Sequence, residues 1–156
     1  MITLALVFFV LGLMVNNWLF LLPGTIAHES MHYIVGWFTS AGPKNFSVKP
    51  RDGVYGEVWF SSLNQLNALP VAIAPLLGVP LALMLIYIAE PKDLALMVIY
   101  AWIAGTTIAQ AWHSRQDWSL AREYWIGSLC WIVGIIWLTF WPFGVTIQTL
   151  RNLIGA

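Results

Sequence analysis

The segment with the clearest chemical signal is TIAHESMHYIVG, residues 25–36, because it places two histidines and a glutamate in an otherwise apolar stretch. His28 and His32 are four residues apart, so on a helix both imidazoles project from one face and can reach one ion. Glu29 lies beside them and completes the pattern H-E-x-x-H. In this pattern the imidazoles hold zinc and the carboxylate acts as general base on a water molecule. The segment therefore predicts a hydrolytic zinc site.

A catalytic zinc site takes three protein ligands and keeps one position for water, so a third ligand must come from another part of the chain. The segment HSRQD provides two candidates, His113 and Asp117. They are also four residues apart and share a face if the preceding helix continues through them. Either can be the ligand, and the other can orient a ligand by hydrogen bonding. The competing interpretation of Asp117 is a solvated carboxylate at a helix end.

The composition predicts where this site lies. The chain has 156 residues, of which 60% are hydrophobic and 9% charged, with a formal net charge of zero and a mean hydropathy of +0.76. These values are far from those of soluble globular domains and indicate an integral membrane protein. The sequence contains no basic run, which argues against a nucleic-acid partner. Ionisable side chains inside a bilayer are costly and usually functional, which favours a metal site over a chance match.

Four uncharged stretches predict a membrane all-α fold with about four transmembrane helices. A helix needs about 20 residues to cross roughly 30 Å of hydrocarbon, and each stretch is long enough for one span. The stretches are residues 2–27, 58–89, 94–112 and 124–150. Within them we place the second span at residues 67–89, the third at 94–112 and the fourth at 124–140. The tail that follows is predicted to lie along the bilayer surface.

Two features of the sequence interrupt this helical pattern. Pro23-Gly24 predicts a kink or break in the first span, with helix continuing over residues 25–38. Residues 41–60 are rich in β-forming residues around the turn signal RDG, and they predict a β-hairpin insert between the first and second spans. An exposed edge in GEVWF, which includes Glu57 and Val58, can pair with an extended peptide.

The second span contains three prolines and begins with a polar residue. Pro70, Pro75 and Pro80 each free a backbone carbonyl that another group must satisfy in lipid, so we predict a broken helix. Asn67 at its start has two interpretations. We prefer an N-terminal helix cap to a residue that steadies a substrate backbone or an oxyanion.

The chain is predicted to be a single integral membrane domain over residues 1–156. Residues 1–120 form the part that carries the site, and residues 121–156 add a span and an interfacial tail. Counting basic residues gives the orientation, because the richer side is usually cytoplasmic. Five lie on the hairpin side, namely Lys44, Lys49, Arg51, Arg115 and Arg122, and two lie opposite, namely Lys92 and Arg151. The hairpin side is therefore predicted to be cytoplasmic and the N-terminus outside.

These features together resemble the site-2 protease family of intramembrane zinc metalloproteases. The resemblance rests on HESMH, the β-rich NFSVKPRDGVYGEVWF, the span NALPVAIAPLL and a third span leading to SRQDW, which cover most of residues 1–120. It implies a three-helix core with His28 and His32 as zinc ligands, Glu29 as general base and Asp117 as the last ligand. It also implies hydrolysis of peptide bonds in a substrate held against a β-strand. The family's aspartate usually lies in L-D-G or N-P-D-G, where this chain has Gln116-Asp117-Trp118.

The predicted function is therefore a multi-pass zinc endopeptidase of the cytoplasmic membrane. Its predicted partners are a membrane-protein substrate, the lipid bilayer and a regulatory membrane protein. The main alternative is a non-enzymatic membrane subunit or binding protein with a structural ion. A closed shell that contains both His113 and Asp117 would favour that alternative, because no position would remain for water. A lipid hydroxylase or desaturase needs many histidines, and three cannot fill a di-iron cluster.

Overall fold

The computed structural model describes residues 1–50, 54–88, 93–112 and 114–154, with side chains up to residue 140. Within these residues the chain forms seven α-helices and one two-stranded sheet. The predicted helical fold with a β-hairpin insert is confirmed at this level. The elements are α1 Ile2–Met14, α2 Trp18–Phe38, β1 Pro43–Ser47, β2 Glu57–Phe60, α3 Ala68–Ile73, α4 Gly78–Ile88, α5 Leu94–Gln110, α6 Arg115–Glu123 and α7 Trp125–Ile154.

One helical run in the described residues is long and apolar enough to cross a membrane. It is Ala68–Ile88, which joins α3 and α4. The bent pairs α1–α2 and α5–α6 also qualify if each pair is one span, which gives up to three spans. The apolar part of α7 with described side chains, Trp125–Phe140, is shorter. A membrane location is thus supported, and the count of four spans remains a prediction.

The break in the N-terminal helical region lies earlier than Pro23. α1 and α2 meet at 104°, and the side chain of Asn17 caps α2 by accepting a hydrogen bond from the N–H of Phe20 at 3.2 Å. Pro23 lies inside α2. The predicted break at Pro23-Gly24 is therefore wrong. A proline this near the start of a helix removes a single hydrogen bond, so the helix continues through it. The side chain of Asn17 caps the first turn of α2, so the helix begins there.

The predicted break in the second span is confirmed. α3 ends at Ile73, a 3-10 turn follows over Ala74–Leu77, and α4 begins at Gly78. Pro75 lies in the 3-10 turn. Because proline has no N–H, it cannot donate to the carbonyl of Val71, four residues earlier, and the helix tightens there.

The hairpin is antiparallel, as predicted, and contains a bulge. Lys44 lies opposite Trp59 and Ser47 opposite Glu57, so β1 has one residue more than β2 between these pairs. Asn45 takes up that extra residue with a φ of 51°, in the left-handed region that asparagine tolerates. The predicted RDG turn, residues 51–53, lies outside the described residues.

α5 is the helix against which α1, α2 and α4 pack, and small residues make the approach close. Ala101 and Ala104 of α5 are fully buried and cluster with Ala5 of α1 and Ala82 of α4. α5 ends at Gln110, and α6 is tilted from it by 43°. α5 does not continue to Asp117, so the condition for His113 and Asp117 to share a helix face is not met, and His113 itself lies outside the described residues.

α7 begins against the segment that precedes α3. The N–H of Gly127 donates to the side-chain oxygen of Gln65 at 2.8 Å, and the indole of Trp131 donates to the carbonyl of Leu66 at 2.6 Å. α7 then runs to Ile154 without interruption. No helix break separates the fourth predicted span from the predicted tail, whose position at a bilayer surface remains a prediction.

We expect Gly24→Ala to destabilise the protein by about 1–3 kcal/mol, the usual cost of overpacking. A Cβ at residue 24 would lie 2.3 Å from the carbonyl oxygen of Thr106 and 2.9 Å from Cγ of Gln110. Since the first obstacle is backbone, α2 and α5 must separate. Thermal unfolding in detergent measures the loss, with Gly134→Ala as control because a Cβ there meets no described atom within 4 Å. Equal melting temperatures for the Gly24→Ala variant and the wild type would contradict this packing.

Candidate metal centre

The structure brings the three predicted ligands together. Nε2 of His28 and Nε2 of His32 are 3.1 Å apart, as their spacing on α2 predicts. Asp117 approaches from α6, with one carboxylate oxygen 3.1 Å from Nε2 of His32 and the other 3.6 Å from Nε2 of His28. The exposed fractions of His32 and Asp117 are 6% and 7%. These three side chains are the described group that can hold a metal ion.

The Nδ1 atom of each imidazole is hydrogen-bonded to a backbone carbonyl oxygen. Nδ1 of His28 lies 2.6 Å from the carbonyl oxygen of Gln110, and Nδ1 of His32 lies 2.8 Å from that of Val71. A carbonyl only accepts hydrogen bonds, so each Nδ1 must carry the hydrogen. In a neutral imidazole the other nitrogen, Nε2, then presents a lone pair. Two imidazole lone pairs and a carboxylate thus converge on one point, and a cation there would relieve their mutual repulsion.

Both carbonyls are available because a helix is interrupted near them. Val71 would accept from residue 75 in a continuous helix, but residue 75 is proline and has no N–H. Gln110 is the last residue of α5, so its carbonyl has no donor one turn later in the helix. The prediction that the prolines free a carbonyl for another group is fulfilled at Val71, whose carbonyl loses the donor at residue 75 and accepts from His32 as well as from the N–H of Ala74.

The distances between the donor atoms fit a small tetrahedral cation. Zinc lies ~2.0–2.1 Å from an imidazole nitrogen and ~2.0–2.2 Å from a carboxylate oxygen, so two tetrahedral ligands are ~3.3 Å apart. The two Nε2 atoms are 3.1 Å apart, Nε2 of His32 is 3.1 Å from one oxygen of Asp117, and Nε2 of His28 is 3.6 Å from the other oxygen. With one ligand atom taken from each residue, the three atoms lie within 4.8 Å of one another, so the described residues can hold one metal ion.

The start of α6 fixes the third ligand. The N–H of Ser114 donates to one oxygen of Asp117 at 2.7 Å, and the N–H of Asp117 donates to the hydroxyl of Ser114 at 3.1 Å. This reciprocal pair is a capping box. It leaves the other carboxylate oxygen facing His32. The interpretation of Asp117 as a solvated carboxylate is wrong, since it is buried against both histidines.

Glu29 and the hairpin share a cavity with the ligands. The cavity has a volume of about 690 Å³, and Glu29, His28, His32 and Asp117 line it. The exposed fraction of Glu29 is 7%. The residues predicted to bind an extended substrate, Glu57 and Val58 of β2, also line the cavity. Glu29, the group that can hold a metal ion and β2 therefore line the same cavity.

Asn67 has a different role from the two that we considered. It occupies the N-cap position of α3, but its side chain makes no capping hydrogen bond. Its amide instead donates to the carbonyl of Ser62 at 3.0 Å and accepts from the N–H of Asn64 at 2.8 Å. Asn67 is not among the described residues that line the cavity. It fixes the loop before α3, with an exposed fraction of 2%.

Sequence reasoning missed the carbonyl of Gln110, the cap of Ser114 and the pairing of Val71 with His32. The carbonyl of Gln110 carries no signal in residue type, since every residue has a carbonyl, and Pro75 marks the carbonyl of Val71 without indicating its partner. Ser114 did carry one, because S-x-x-D is a capping-box pattern that marks a new helix start at residue 115. Reading that pattern would have separated α5 from α6.

No family model, no curated protein and no solved structure matches this chain. The resemblance to site-2 proteases therefore rests on the motifs in the sequence, and the account of the site rests on its geometry.

We expect Asp117→Asn to weaken zinc binding by about 100-fold or more, since it removes the charge of a ligand and leaves an amide of similar shape. The amide oxygen can still accept from Ser114, so α6 should stay folded. Metal analysis and zinc titration of the purified protein measure the effect. Ser114→Ala is the control, because it removes the side-chain cap and retains every ligand atom. Unchanged zinc affinity in the Asp117→Asn variant would contradict the assignment of the third ligand.

Proposed function

We propose that the protein is a zinc metalloendopeptidase of the site-2 protease type that hydrolyses peptide bonds of membrane proteins. The observation that carries the proposal is the convergence of His28, His32 and Asp117 beside the buried carboxylate of Glu29. Three protein ligands with a neighbouring acid and an open cavity are the arrangement of a catalytic site, because a position remains for water. Zinc suits a ligand set of two imidazoles and one carboxylate.

Glu29 has the role of general acid and base. When bound, zinc supplies Lewis-acid chemistry, which acidifies water and polarises a peptide carbonyl. Glu29 takes a proton from the attacking water and passes it to the nitrogen of the leaving amine. Asp117 and the histidines keep their positions during this transfer, because carbonyls and the capping box hold them. The surrounding protein excludes bulk water from Glu29, whose exposed fraction is 7%.

β2 is the proposed substrate-binding element. The sheet has two strands in the described residues, so β2 pairs with β1 at one edge and has a second edge free of sheet partners. Glu57 and Val58 of this strand line the cavity. An extended peptide that adds to the free edge gains backbone hydrogen bonds, which it needs after leaving a helix in lipid. Strand addition would therefore present a peptide bond to the metal group.

The proposed setting is the cytoplasmic membrane. The helical run Ala68–Ile88 is the described segment with the length and apolarity to cross it. Water must still reach a peptide bond, and polar side chains of the α6 region border the cavity, namely those of Ser114, Arg115, Gln116 and Ser119. The excess of basic residues on the hairpin side favours a cytoplasmic opening.

We expect Glu29→Gln to abolish proteolysis and to leave zinc binding intact. The amide keeps the size of the side chain but cannot take a proton, and general acid–base catalysis is worth roughly 10²–10⁴-fold. The assay uses casein and a pool of synthetic single-span peptides in detergent micelles, with products identified by mass spectrometry and zinc by metal analysis.

Asp93→Asn provides the matched control. Asp93 caps the start of α5, at the end of that helix away from Gln110, and its side chain accepts from the N–H of Ala95. We expect this variant to cleave like the wild type. Equal cleavage by the Glu29→Gln variant would rule out a catalytic Glu29. A zinc-loaded wild type without any proteolysis, together with a loss of thermal stability in His28→Ala, would favour a structural ion.

A further inference from the structure

The backbone of Gly56 lies directly against the side chain of Glu29. A Cβ built on Gly56 would be 2.5 Å from Cγ of Glu29, 2.8 Å from Oε1 and 2.9 Å from Cδ. These separations are shorter than any stable contact between carbon or oxygen atoms. The three nearest atoms all belong to Glu29. Residue 56 therefore has to be glycine for Glu29 to occupy its position.

Gly56 is held in place from both sides. Glu57, the next residue, begins β2 and pairs with Ser47 of β1. The preceding residue, Tyr55, donates a hydrogen bond from its hydroxyl to the side-chain oxygen of Asn16, at the junction of α1 and α2. The contact with Glu29 is thus fixed by the sheet on one side and by the helix junction on the other.

Packing, more than hydrogen bonding, sets the position of Glu29. Within the described residues, no hydrogen bond or ion pair holds the carboxylate of Glu29, although the exposed fraction of this residue is only 7%. A buried carboxylate without such a partner is oriented by the atoms packed around it, which decide the rotamer that is lowest in energy. Among the glycines that the structure describes, Gly56 is the one that lies against the side chain of Glu29.

We infer that Gly56 is a positioning residue for the general base, an inference that rests on the proposed function. A side chain at residue 56 would collide with Glu29, whose flexible side chain can turn away while the α2 backbone stays. The metal ligands would be unaffected, and the carboxylate would leave the position from which it reaches the reacting water. This differs from Gly24, where the obstacle is the backbone of Thr106 and the fold itself must yield.

The test is Gly56→Ala in the full chain, assayed with the same peptides and casein. We expect kcat to fall by about 100-fold, the usual effect of moving a catalytic group by an ångström. KM and zinc content should stay within about threefold of the wild type, since neither depends on Glu29. Gly134→Ala, which adds the same methyl group in open space, should cleave like the wild type.

A double-mutant cycle of melting temperatures tests whether the effect of Gly56→Ala depends on the side chain of Glu29. Gly56→Ala should lower the melting temperature in the wild-type background and leave it unchanged in Glu29→Ala, where the obstructing side chain is gone. An equal decrease in both backgrounds overturns the inference, and so does a kcat within about threefold of the wild type. If the wild type cleaves none of the probes, the proposed function fails first and the inference fails with it.

Discussion

The architecture depends on one electrostatic constraint, the meeting of three electron-pair donors in a buried site. His28 and His32 turn their Nε2 atoms toward each other and toward Asp117 because carbonyls of Gln110 and Val71 hold their Nδ1 hydrogens. These donors repel one another unless a cation lies between them. The four helices that supply the ligands and the carbonyls, α2, α3, α5 and α6, are thereby joined at one point. A shift in any of the four helices changes the ligand geometry.

The helix breaks create this site. Pro75 removes the N–H that would occupy the carbonyl of Val71, and the end of α5 leaves the carbonyl of Gln110 open. The same end allows Ser114 to start α6 and to fix Asp117 as its third residue. In an apolar setting a carbonyl without a donor is costly. The imidazole N–H of His28 satisfies the carbonyl of Gln110, so one hydrogen bond stabilises both the helix end and the ligand. The N–H of His32 is a second donor to the carbonyl of Val71, beside the N–H of Ala74.

The sequence predicts the features that depend on contacts between residues close in the chain. It does not predict those that depend on contacts between residues far apart in the chain. Helical periodicity is local, so the spacing of His28 and His32 predicts their shared face, and the β-rich run before the prolines predicts the hairpin. Proline is a stronger sequence signal for a helix break than asparagine, so the sequence predicts a break at Pro23, whereas α2 begins after the cap at Asn17. The residue types in HSRQD indicate two candidates for the third ligand, and the choice of Asp117 over His113 rested partly on the family resemblance, since nothing local connects α6 with α2. The contact of Gly56 with Glu29 depends on packing across 27 residues of chain and has no local pattern.

Charge balance argues for a divalent ion in particular. When both imidazoles are neutral, as metal ligation requires, and Glu29 is ionised, the buried group carries the single negative charges of Asp117 and Glu29. A divalent cation makes this group neutral, a monovalent ion leaves a net negative charge, and a trivalent ion a positive one. Uncompensated charge in a buried site costs several kcal/mol, as for any ion removed from water. Two imidazolium rings would balance the same two charges without a metal, but they would face each other with their Nε2 atoms 3.1 Å apart. Like charges at that distance repel strongly in a low dielectric, so a divalent ion balances the two carboxylates at a lower cost than two imidazolium rings do.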